Sequence, residues 1–318
     1  MARERVRPRI FCFGGAVVDR SLRPLHELRR GTSNPVVTAA APGGVARNVA
    51  EGLARLGVPV SLCSIVGEDA DGDRLVHGLA AAGVDVERVQ RSPHAPTAGY
   101  WAVLDPRGEL YLGLADMEIF EGLDDAWAEA AMADAEAAKI WVVDANLDPV
   151  GLGRLLRTRR QGTTVAADPV SEAKAGRLRP FLDRIDVLFP DRGELAELAD
   201  LPAEDDGQVA AAADRLRRLG VGAVVVSLGE RGVYVDDGER RQCFAALPPA
   251  RVRDVTGAGD ALLAGWVWAL AAAPGVDPVR AALAAASLAV ESARTVPAEL
   301  TPERLLRRAT AVGEAARR

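Results

Sequence analysis

Residues 254–260 combine the residue types that a phosphoryl-transfer site needs. They read Asp-Val-Thr-Gly-Ala-Gly-Asp, and the apolar run 261–268 follows directly. The small residues let the backbone approach an anion, and a helix starting there points free N–H groups and its positive dipole end at one spot. Because a carboxylate repels anions, Asp260 suits a general base that deprotonates an attacking hydroxyl. The alternative is a tight turn into a buried helix, with Asp260 as an ordinary first-turn acid.

The bulk composition narrows the class of protein. The 318 residues are 49% hydrophobic, so the chain can bury a large core as roughly two domains or one large α/β fold. The net charge of −6 argues against binding nucleic acid by phosphate neutralisation. The only lysines, Lys139 and Lys174, each follow an alanine, so no P-loop can occur. A complete GxGxxG fingerprint is also missing, which disfavours a nicotinamide dehydrogenase.

Cysteine usage and hydropathy favour a cytoplasmic protein. The three cysteines are too few and too scattered for a disulfide framework or a zinc site, and Cys12 and Cys63 lie in apolar runs that predict buried thiols. The Arg-rich start is not typical of a signal peptide, and no apolar run approaches the roughly 20 residues of a membrane span. We therefore expect no membrane partner.

Apolar periodicity predicts the elements that must position these residues. After a basic tail, residues 10–19 are typical of a buried strand that enters a glycine turn. Residues 20–42 lack a helical period and contain three prolines, which predicts loops and short strands. Helices are expected at 45–56 and 71–82, with a strand at 58–66 between them.

The middle of the chain predicts a hairpin followed by βαβ units. Residues 97–114 read as a β-hairpin with its turn at 105–108. Alternating strands and helices after it predict a mostly parallel sheet covered on both faces, in one main α/β domain with a small β appendage. The strands are expected at 140–143, 164–167, 187–189 and 224–227, with a short antiparallel pair at 233–235 and 242–246.

Two motifs about two hundred residues apart resemble the signatures of one enzyme family. Residues 42–50 read Pro-Gly-Gly-Val-Ala-Arg-Asn-Val-Ala and, with Gly57 and Gly67, resemble the N-terminal signature of the PfkB (ribokinase-like) carbohydrate and nucleoside kinases. Residues 254–260 resemble the C-terminal signature of the same family, and residues 227–234 resemble its nucleotide loop. The resemblance covers nearly the whole chain.

This resemblance implies a ribokinase-like, three-layer α/β/α fold. The whole of 1–318 would be a single kinase domain, with a small β-strand lid formed by about 14–42 and 95–118. Finer features resemble the pseudouridine kinase branch. They are residues 33–35, 43–48, 115–119, 143–146 and 168–174.

The branch implies a phosphotransferase that uses ATP and acts on an alcohol. The γ-phosphoryl group would pass to the 5′-hydroxyl of a nucleoside, pseudouridine giving pseudouridine 5′-phosphate. Asp260 would be the base, and Thr256, Gly257, Ala258 and Gly259 would stabilise charge on the transferring group. Two alternatives stay open. One is a kinase of ribose, adenosine or another sugar, and the other is a non-catalytic sugar- or nucleotide-binding regulator.

The resemblance also assigns the acceptor side of the site. Asp19 and Asn48 match the sugar-hydroxyl contacts, and Gly43-Gly44 would let the backbone lie against the sugar. Asn146 offers the donor and acceptor that a uracil edge requires. Asp116 is the candidate for binding the N1–H that a C-linked uracil has. The alternatives are a turn-forming Asp19, a helix-capping Asn48 and a surface Asp116.

The nucleotide side follows from the same resemblance. Gly229 and Gly232 would admit the ATP phosphates with Ser227 nearby, although a plain β-turn is the alternative. Lys174 would reach the phosphates or remain solvated. Asp191 and Glu194 occupy the place of the family's Asn-x-x-Glu motif, with Asp in place of Asn, and would bind Mg²⁺ through water. Asp254 would bind a monovalent ion such as K⁺. The Asp191 exchange leaves the detail of magnesium binding open.

The hairpin carries apolar side chains with two possible roles. Tyr100, Trp101 and Leu112 would cover the base or pack between two lids. We therefore expect a homodimer that forms through the β-strand lid.

Overall fold

The computed structural model describes residues 10–135 and 138–315, so the predicted basic tail lies outside the described residues. The strands have these bounds: β1 Ile10–Phe13, β2 Val17–Pro24, β3 Val36–Gly43, β4 Val60–Gly67, β5 Val89–Ser92, β6 Gly99–Leu104, β7 Leu110–Asp116, β8 Ile140–Asp144, β9 Thr164–Asp168, β10 Val187–Leu188, β11 Ala223–Ser227, β12 Val233–Asp236 and β13 Arg241–Phe244.

The helices follow the same chain order. They are α1 Val45–Arg55, α2 Ala70–Ala81, α3 Asp125–Ala135, α4 Pro149–Thr158, α5 Glu172–Ala175, α6 Arg192–Ala199, α7 Asp206–Arg218, α8 Ala258–Ala272, α9 Pro278–Ala289 and α10 Pro302–Ala315. No helix in the described ranges is both long and apolar enough to cross a bilayer.

A nine-stranded sheet forms the middle of the molecule, in the order β13-β12-β11-β10-β9-β8-β1-β4-β5. The pairs from β11 through to β5 are parallel, whereas β12 and β13 are antiparallel additions at one edge. Successive residues of β1 point to opposite faces, so Ile10 and Cys12 join one apolar core while Phe11 and Phe13 join the other. Helices cover both faces, which confirms the predicted three-layer α/β/α fold.

The first core lies under α1, α2, α8, α9 and α10, and the second under α3, α4, α6 and α7. Because the long parallel strands are buried on both faces, they read in the sequence as continuous apolar runs. Because these strands are parallel, the carboxyl ends of β8, β9 and β11 meet at one edge of the sheet, where open α/β folds bind ligands.

A second sheet of four strands, in the order β3-β2-β6-β7, stands beside the large one. β2 pairs antiparallel with β3 and parallel with β6, and β6 and β7 form the predicted hairpin, closed by a hydrogen bond from Gly108 N to Asp105 O of 3.0 Å. Its strands fall inside the predicted ranges 14–42 and 95–118, except that β3 extends one residue further, to Gly43. Whether this sheet closes over a ligand as a lid stays a prediction.

The structure differs from the sequence prediction in three strands: β2 and β3 of the four-stranded sheet, and β5 at the edge of the large sheet. Residues 20–42 contain most of two eight-residue strands, β2 and β3, rather than loops and short strands. Six of the eight β3 residues are exposed, so β3 has no alternation of buried and exposed side chains that a pattern search could detect. The edge strand β5, Val-Gln-Arg-Ser, was not predicted, because it lacks an apolar run.

Candidate active site

The candidate base Asp260 lies in the first turn of α8. The helix begins after Gly257, whose φ of +79° is a left-handed conformation that favours glycine. Residues 261–269 are all buried, so α8 is fixed on every side. Gly265 permits this packing, because a β-carbon there would lie 2.5 Å from Ala281 O of α9. Asp260 itself is half-buried at the open end of this rigid helix.

Asp260 forms a hydrogen bond with the second predicted motif. Asn48 Nδ2 donates to Asp260 Oδ2 at 2.6 Å, across 212 residues of sequence. Burial raises the pKa of Asp260 to about 6, against the lowering effects of the Asn48 hydrogen bond and the Arg47 charge, while Asp144 and Asp19 raise it further. A carboxyl group with this pKa is largely ionised at neutral pH and still basic enough to accept a proton.

The glycine pair before α1 fixes the position of Asn48. Gly44 is the N-cap and has no side chain to offer, so α1 begins without a side-chain cap of its own. Asp144 at the end of β8 takes that place. Its Oδ2 accepts from Ala46 N at 2.9 Å and from Gly15 N at 3.0 Å, and its Oδ1 accepts from Asn146 N at 2.8 Å.

Asp144 is a site residue to which the sequence prediction gave no role. It is 0% exposed, and burial raises its pKa against three backbone hydrogen bonds that lower it. An acid that ends an apolar strand is the signal that was available in the sequence. That pattern does not predict which backbone groups the carboxylate binds, because Ala46 and Gly15 lie 98 and 129 residues away in the sequence.

Asp19 lies near Asp260 and Arg47, close enough for its charge to affect the pKa of both. It is on β2, opposite Ala41 of β3, and a β-carbon on Gly43 would lie 2.0 Å from Asp19 Oδ2. A side chain at position 43 would therefore displace this carboxylate. Burial raises the pKa of Asp19, and the positive charge of Arg47 opposes that rise. The structure thus brings Asp19, Gly43-Gly44, Asn48 and Asp260 together, as the sequence prediction required.

The predicted base-binding residue Asn146 lines a separate cavity of about 220 Å³ with Met117, Phe120, Lys174 and Arg177. Lys174 Nζ donates to Asn146 Oδ1 at 2.6 Å, and burial lowers the pKa of Lys174. Lys174 therefore contacts a predicted acceptor-side residue, and it does not line the cavity that contains Ser227. Asp116 is exposed at the end of β7, directly before Met117.

The predicted nucleotide residues line a larger cavity of about 460 Å³. Ser227, Gly229 and Gly232 form one wall, and Ala258 and Gly259 of the α8 start form another. Apolar side chains that include Leu262 and Leu283 complete it. A mostly apolar cavity that ends at a helix N-terminus offers both a surface for a planar ring and N–H groups for a phosphate.

The N–H groups of the predicted cradle are not equivalent. Thr256 N donates to Asp254 Oδ1 at 2.9 Å, and Ala258 N donates to Val255 O at 3.2 Å. Those two groups must leave acceptors of their own loop to bind a ligand. Gly259 and Asp260 lie in the first turn, where N–H groups have no carbonyl partner within the helix.

Asp191 and Glu194 form a capping box at the start of α6. Asp191 Oδ1 accepts from Glu194 N at 2.8 Å, and Glu194 Oε2 accepts from Asp191 N at 2.8 Å. Burial raises the pKa of Glu194 to about 7, although the Asp191 hydrogen bond lowers it, and the charges of Asp191, Glu172 and Asp260 add to the rise. The box uses one oxygen on each carboxyl group, so Asp191 Oδ2 and Glu194 Oε1 are outside it.

Further acids surround this point. Asp168 at the end of β9 is buried, and burial raises its pKa well above the usual range, with Glu194 and Asp260 adding to the effect. Within the described residues, no three His, Cys, Asp or Glu side chains are close enough to hold a metal ion by themselves. The exposed Asp254 stands apart from this group, and its carboxylate caps the turn at Thr256.

The chain is similar to known kinases along most of its length. The sequence pattern of the family described as pfkB family carbohydrate kinase matches residues 7–302. A curated relative, pseudouridine kinase from Escherichia coli (strain K12), is 31% identical over 285 residues, which are 88% of this chain and 90% of the relative.

Solved structures agree with that match. A putative sugar kinase from Clostridium perfringens is 27% identical and superposes with a TM-score of 0.81, covering 96% of both chains. The structure of Arabidopsis thaliana ribokinase complexed with ribose and ATP has a TM-score of 0.83 at 23% identity, covers 96% of this chain and 99% of that one, and supports the fold alone.

Proposed function

This chain belongs to the pfkB family of carbohydrate kinases and is a phosphotransferase that acts on a hydroxyl group; from that premise we propose that it transfers the γ-phosphoryl group of ATP to the 5′-hydroxyl of pseudouridine. One observation carries the proposal. Asp260, with a pKa of about 6, is hydrogen-bonded to Asn48 at the N-terminus of α8. That arrangement unites a general base and an anion-binding helix end in a cleft that also contains Asp19.

The proton and the phosphoryl group then have defined paths. The 5′-hydroxyl of the acceptor gives its proton to Asp260, its oxygen forms the new P–O bond, and the bond from the γ-phosphorus to the ADP oxygen breaks. The backbone of 256–259 stabilises the charge on the transferring group. Since the protein supplies positioning and electrostatics in such reactions, a site without a P-loop lysine suffices.

The acceptor is proposed from two supports. The relative with 31% identity is a pseudouridine kinase. In addition, Asn146 in its cavity presents an amide, and Asp116 lies one residue from that cavity in the chain. We assign the ribose hydroxyls to Asp19 and Asn48 and the edge of the base to Asn146 and Asp116.

ATP is assigned to the cavity bounded by Ser227, Gly229, Gly232 and Gly259. Oxygen ligands suit a divalent cation, and Asp191, Glu194 and Asp168 supply them. Burial and neighbouring carboxyl groups raise the pKa of Glu194 and of Asp168, and a cation there would favour their ionised forms. Asp191 and Glu194 would hold Mg²⁺ through water, and the ion would neutralise phosphate charge. Asp254, with the backbone around Val255, is the proposed place of a monovalent cation such as K⁺.

A panel of acceptors tests the proposal directly. The purified protein is incubated with ATP and Mg²⁺ and, separately, with pseudouridine, uridine, adenosine or ribose, and ADP release and product mass are measured. We expect the highest kcat/KM for pseudouridine, with one phosphate added at the 5′ position. A higher kcat/KM for ribose or adenosine would replace pseudouridine as the proposed acceptor. If none of the four compounds led to ADP release, the proposed function would be contradicted.

Asp116 provides a test of selectivity. If its carboxylate accepts the N1–H of a C-linked uracil, Asp116→Ala should lower kcat/KM for pseudouridine and leave that for uridine unchanged, because uridine has no N–H there. Glu109→Ala on the same hairpin is the control. Unchanged discrimination in Asp116→Ala would refute this role.

We also propose that the four-stranded sheet forms a homodimer. Its edge strand β7 exposes Leu112 and Leu114 at 48% and 51%, two residues apart and so on one face, and Leu110, beyond a β-bulge, is exposed at 60%. Leu114→Arg should convert a dimer to a monomer in light scattering coupled to gel filtration. Val150→Arg, at an equally exposed apolar residue on α4, should not. A monomeric wild-type protein at all accessible concentrations would exclude the dimer.

A further inference from the structure

The guanidinium of Arg47 is buried in the candidate site, and none of the residues assigned above explains why a cation is there. Its residue is only 2% exposed. Burying a charge without need destabilises a fold, so buried arginines are held by several partners. On the premise of the phosphoryl transfer proposed above, we propose that Arg47 is a positioning residue that orients Asn48 and keeps the Asp260 carboxylate ready to accept the acceptor's proton.

The contacts form a continuous chain through α1. Glu51 Oε2 accepts from Arg47 Nη1 at 2.5 Å, Arg47 Nη2 donates to Asn48 Oδ1, and Asn48 Nδ2 donates to Asp260 Oδ2 at 2.6 Å. Arg47 Nη2 also reaches Pro42 O at 3.2 Å. Arg47 is therefore fixed from the end of β3 and from the next turn of α1.

The chemistry of the groups sets the direction of this chain. A guanidinium only donates hydrogen bonds, so the side of Asn48 that faces Arg47 must be its oxygen. The amide nitrogen must then face Asp260, where it can only donate. Asp260 Oδ2 is held as an acceptor, which favours the ionised carboxyl group and leaves Oδ1 to take the proton from the acceptor hydroxyl.

The charge of Arg47 acts in the same direction. Four carboxyl groups face Asp260: Asp19 from β2, Asp144 from β8, Asp168 from β9 and Glu194 from α6. The charges of Asp19 and Asp144 raise the pKa of Asp260, and the charge of Asp260 raises the pKa values of Asp168 and Glu194. Arg47 is the cation that opposes them at Asp260. Burial lowers the pKa of Arg47 itself, and the Glu51 charge and hydrogen bond raise it again. Glu51 thus supports the charged form of Arg47.

Arg55 gives a matched control for this role. It donates to the same Glu51, with Nη2 to Oε1 at 2.6 Å and Nε to Oε1 at 2.9 Å, but has no contact with Asn48 among its hydrogen bonds to the described residues. Arg55→Met removes a cation and a Glu51 ion pair from the same helix. It leaves the path from Arg47 to Asp260 in place.

The experiment compares Arg47→Met, Arg47→Gln, Arg47→Lys and Arg55→Met with the wild type. The first readout is the titration of the Asp260 carboxyl carbon by ¹³C NMR of aspartate-labelled protein, with the resonance assigned by its loss in Asp260→Asn. The second is the pH dependence of kcat and of the KM for pseudouridine with ATP and Mg²⁺. Circular dichroism confirms that each variant is folded.

We expect Arg47→Met to raise the pKa of Asp260, move the acid limb of kcat to higher pH and lower kcat by about tenfold to hundredfold, with little change in the KM for pseudouridine. Arg47→Gln keeps a donor but no charge and should show the same upward shift. Arg47→Lys should retain more of the wild-type rate. Arg55→Met should match the wild type.

An unchanged carboxyl titration and acid limb in folded Arg47→Met would overturn the role, as would an equal shift in Arg55→Met. If Arg47→Met does not fold, Arg47→Gln decides in the same way. The two proposals fail separately. Absence of turnover with every acceptor would remove the proposed function, whereas the NMR titration would still accept or reject the link from Arg47 to Asp260.

Discussion

The acceptor side and the nucleotide side of the cleft are built on different principles. On the acceptor side, Arg47, Asn48, Asp144 and Asn146 are exposed by 5% or less, and each of these four side chains hydrogen-bonds to at least one other residue. The nucleotide side is bounded by the loop before α8, where Val252 and Val255 are exposed by 63% and 69%. One side is fixed before any ligand arrives, and the other has room to adjust.

The difference indicates where each part of the function is determined. Preorganised, buried groups lose little free energy to reorganisation during the reaction, so they suit the chemical step. An open, apolar cavity suits a ligand whose binding closes it. Substitutions on the acceptor side should therefore change kcat or stability, and those on the nucleotide side should change the KM for ATP.

The largest effect is expected at Asp260. Asp260→Asn removes the base and keeps the size and the hydrogen-bond acceptor for Asn48, so kcat should fall by about a thousandfold while ATP and acceptor still bind in calorimetry. Asp125→Asn, a first-turn acid on α3, should keep the wild-type rate. Residual wild-type turnover in Asp260→Asn would remove the distinction between the two sides.

The next effect concerns stability on the acceptor side. Asp144→Ala leaves buried N–H groups of Gly15, Ala46 and Asn146 without their acceptor, which should lower the free energy of unfolding by about 3 kcal/mol. Asp148→Ala removes an exposed cap from Val150 N and should cost about 1 kcal/mol. Urea denaturation measures both, and equal losses would show that the buried network is not special.

A smaller effect is expected on the nucleotide side. Gly232 has a φ of +101°, and a β-carbon would lie 2.0 Å from Phe244 O. Gly232→Ala should therefore displace this loop and raise the KM for ATP about tenfold with little change in kcat. A β-carbon at Gly229 would meet no atom within 4 Å, so Gly229→Ala adds only the backbone strain of its φ of +62° and is the milder control. A fall in kcat at constant KM would place this loop with the chemical machinery instead.

The smallest effect is that of pH. The base must be ionised, and the pKa of Asp260 is about 6. At pH 6 kcat should be about half its plateau, and below that it should fall about tenfold per pH unit. Because the pKa of Asp260 is raised in the folded state, its carboxylate disfavours folding above pH 6, and this penalty shrinks as the pH falls from 6 towards about 4, the ordinary pKa of an aspartate. A pH-independent kcat from pH 5 to 8 would contradict the assignment.

The sequence alone was sufficient for the parallel core and for the ends of the cleft. β8, β9 and α1 were predicted within a residue or two of their bounds, because apolar runs and a helical period mark them. Asp19, Asn48 and Asp260 were selected by motif, and the structure places them in one cleft. The lengths of β2 and β3 were missed, because β3 consists mostly of exposed, small residues without a period and the middle of β2 is half-buried without alternation.

The contacts between distant residues could not be predicted in the same way. The sequence around Arg47 does not predict that its guanidinium is buried, because an arginine on a helix is usually solvated. Lys174 was predicted to reach the ATP phosphates or to stay solvated, whereas its Nζ donates to Asn146 Oδ1, a residue 28 positions away in the sequence. Local patterns identify elements, and tertiary packing decides which polar side chains meet.

The Asp144 carboxylate has a consequence for how the molecule assembles. It ties the end of β8 to the backbone of the first strand-to-strand turn, 129 residues away, and to the start of α1, 98 residues away. Such long loops close slowly, and their entropy is recovered only when all three arrive. A nascent chain that stops before β8 lacks this clasp, so phosphoryl transfer should appear late in synthesis and all at once.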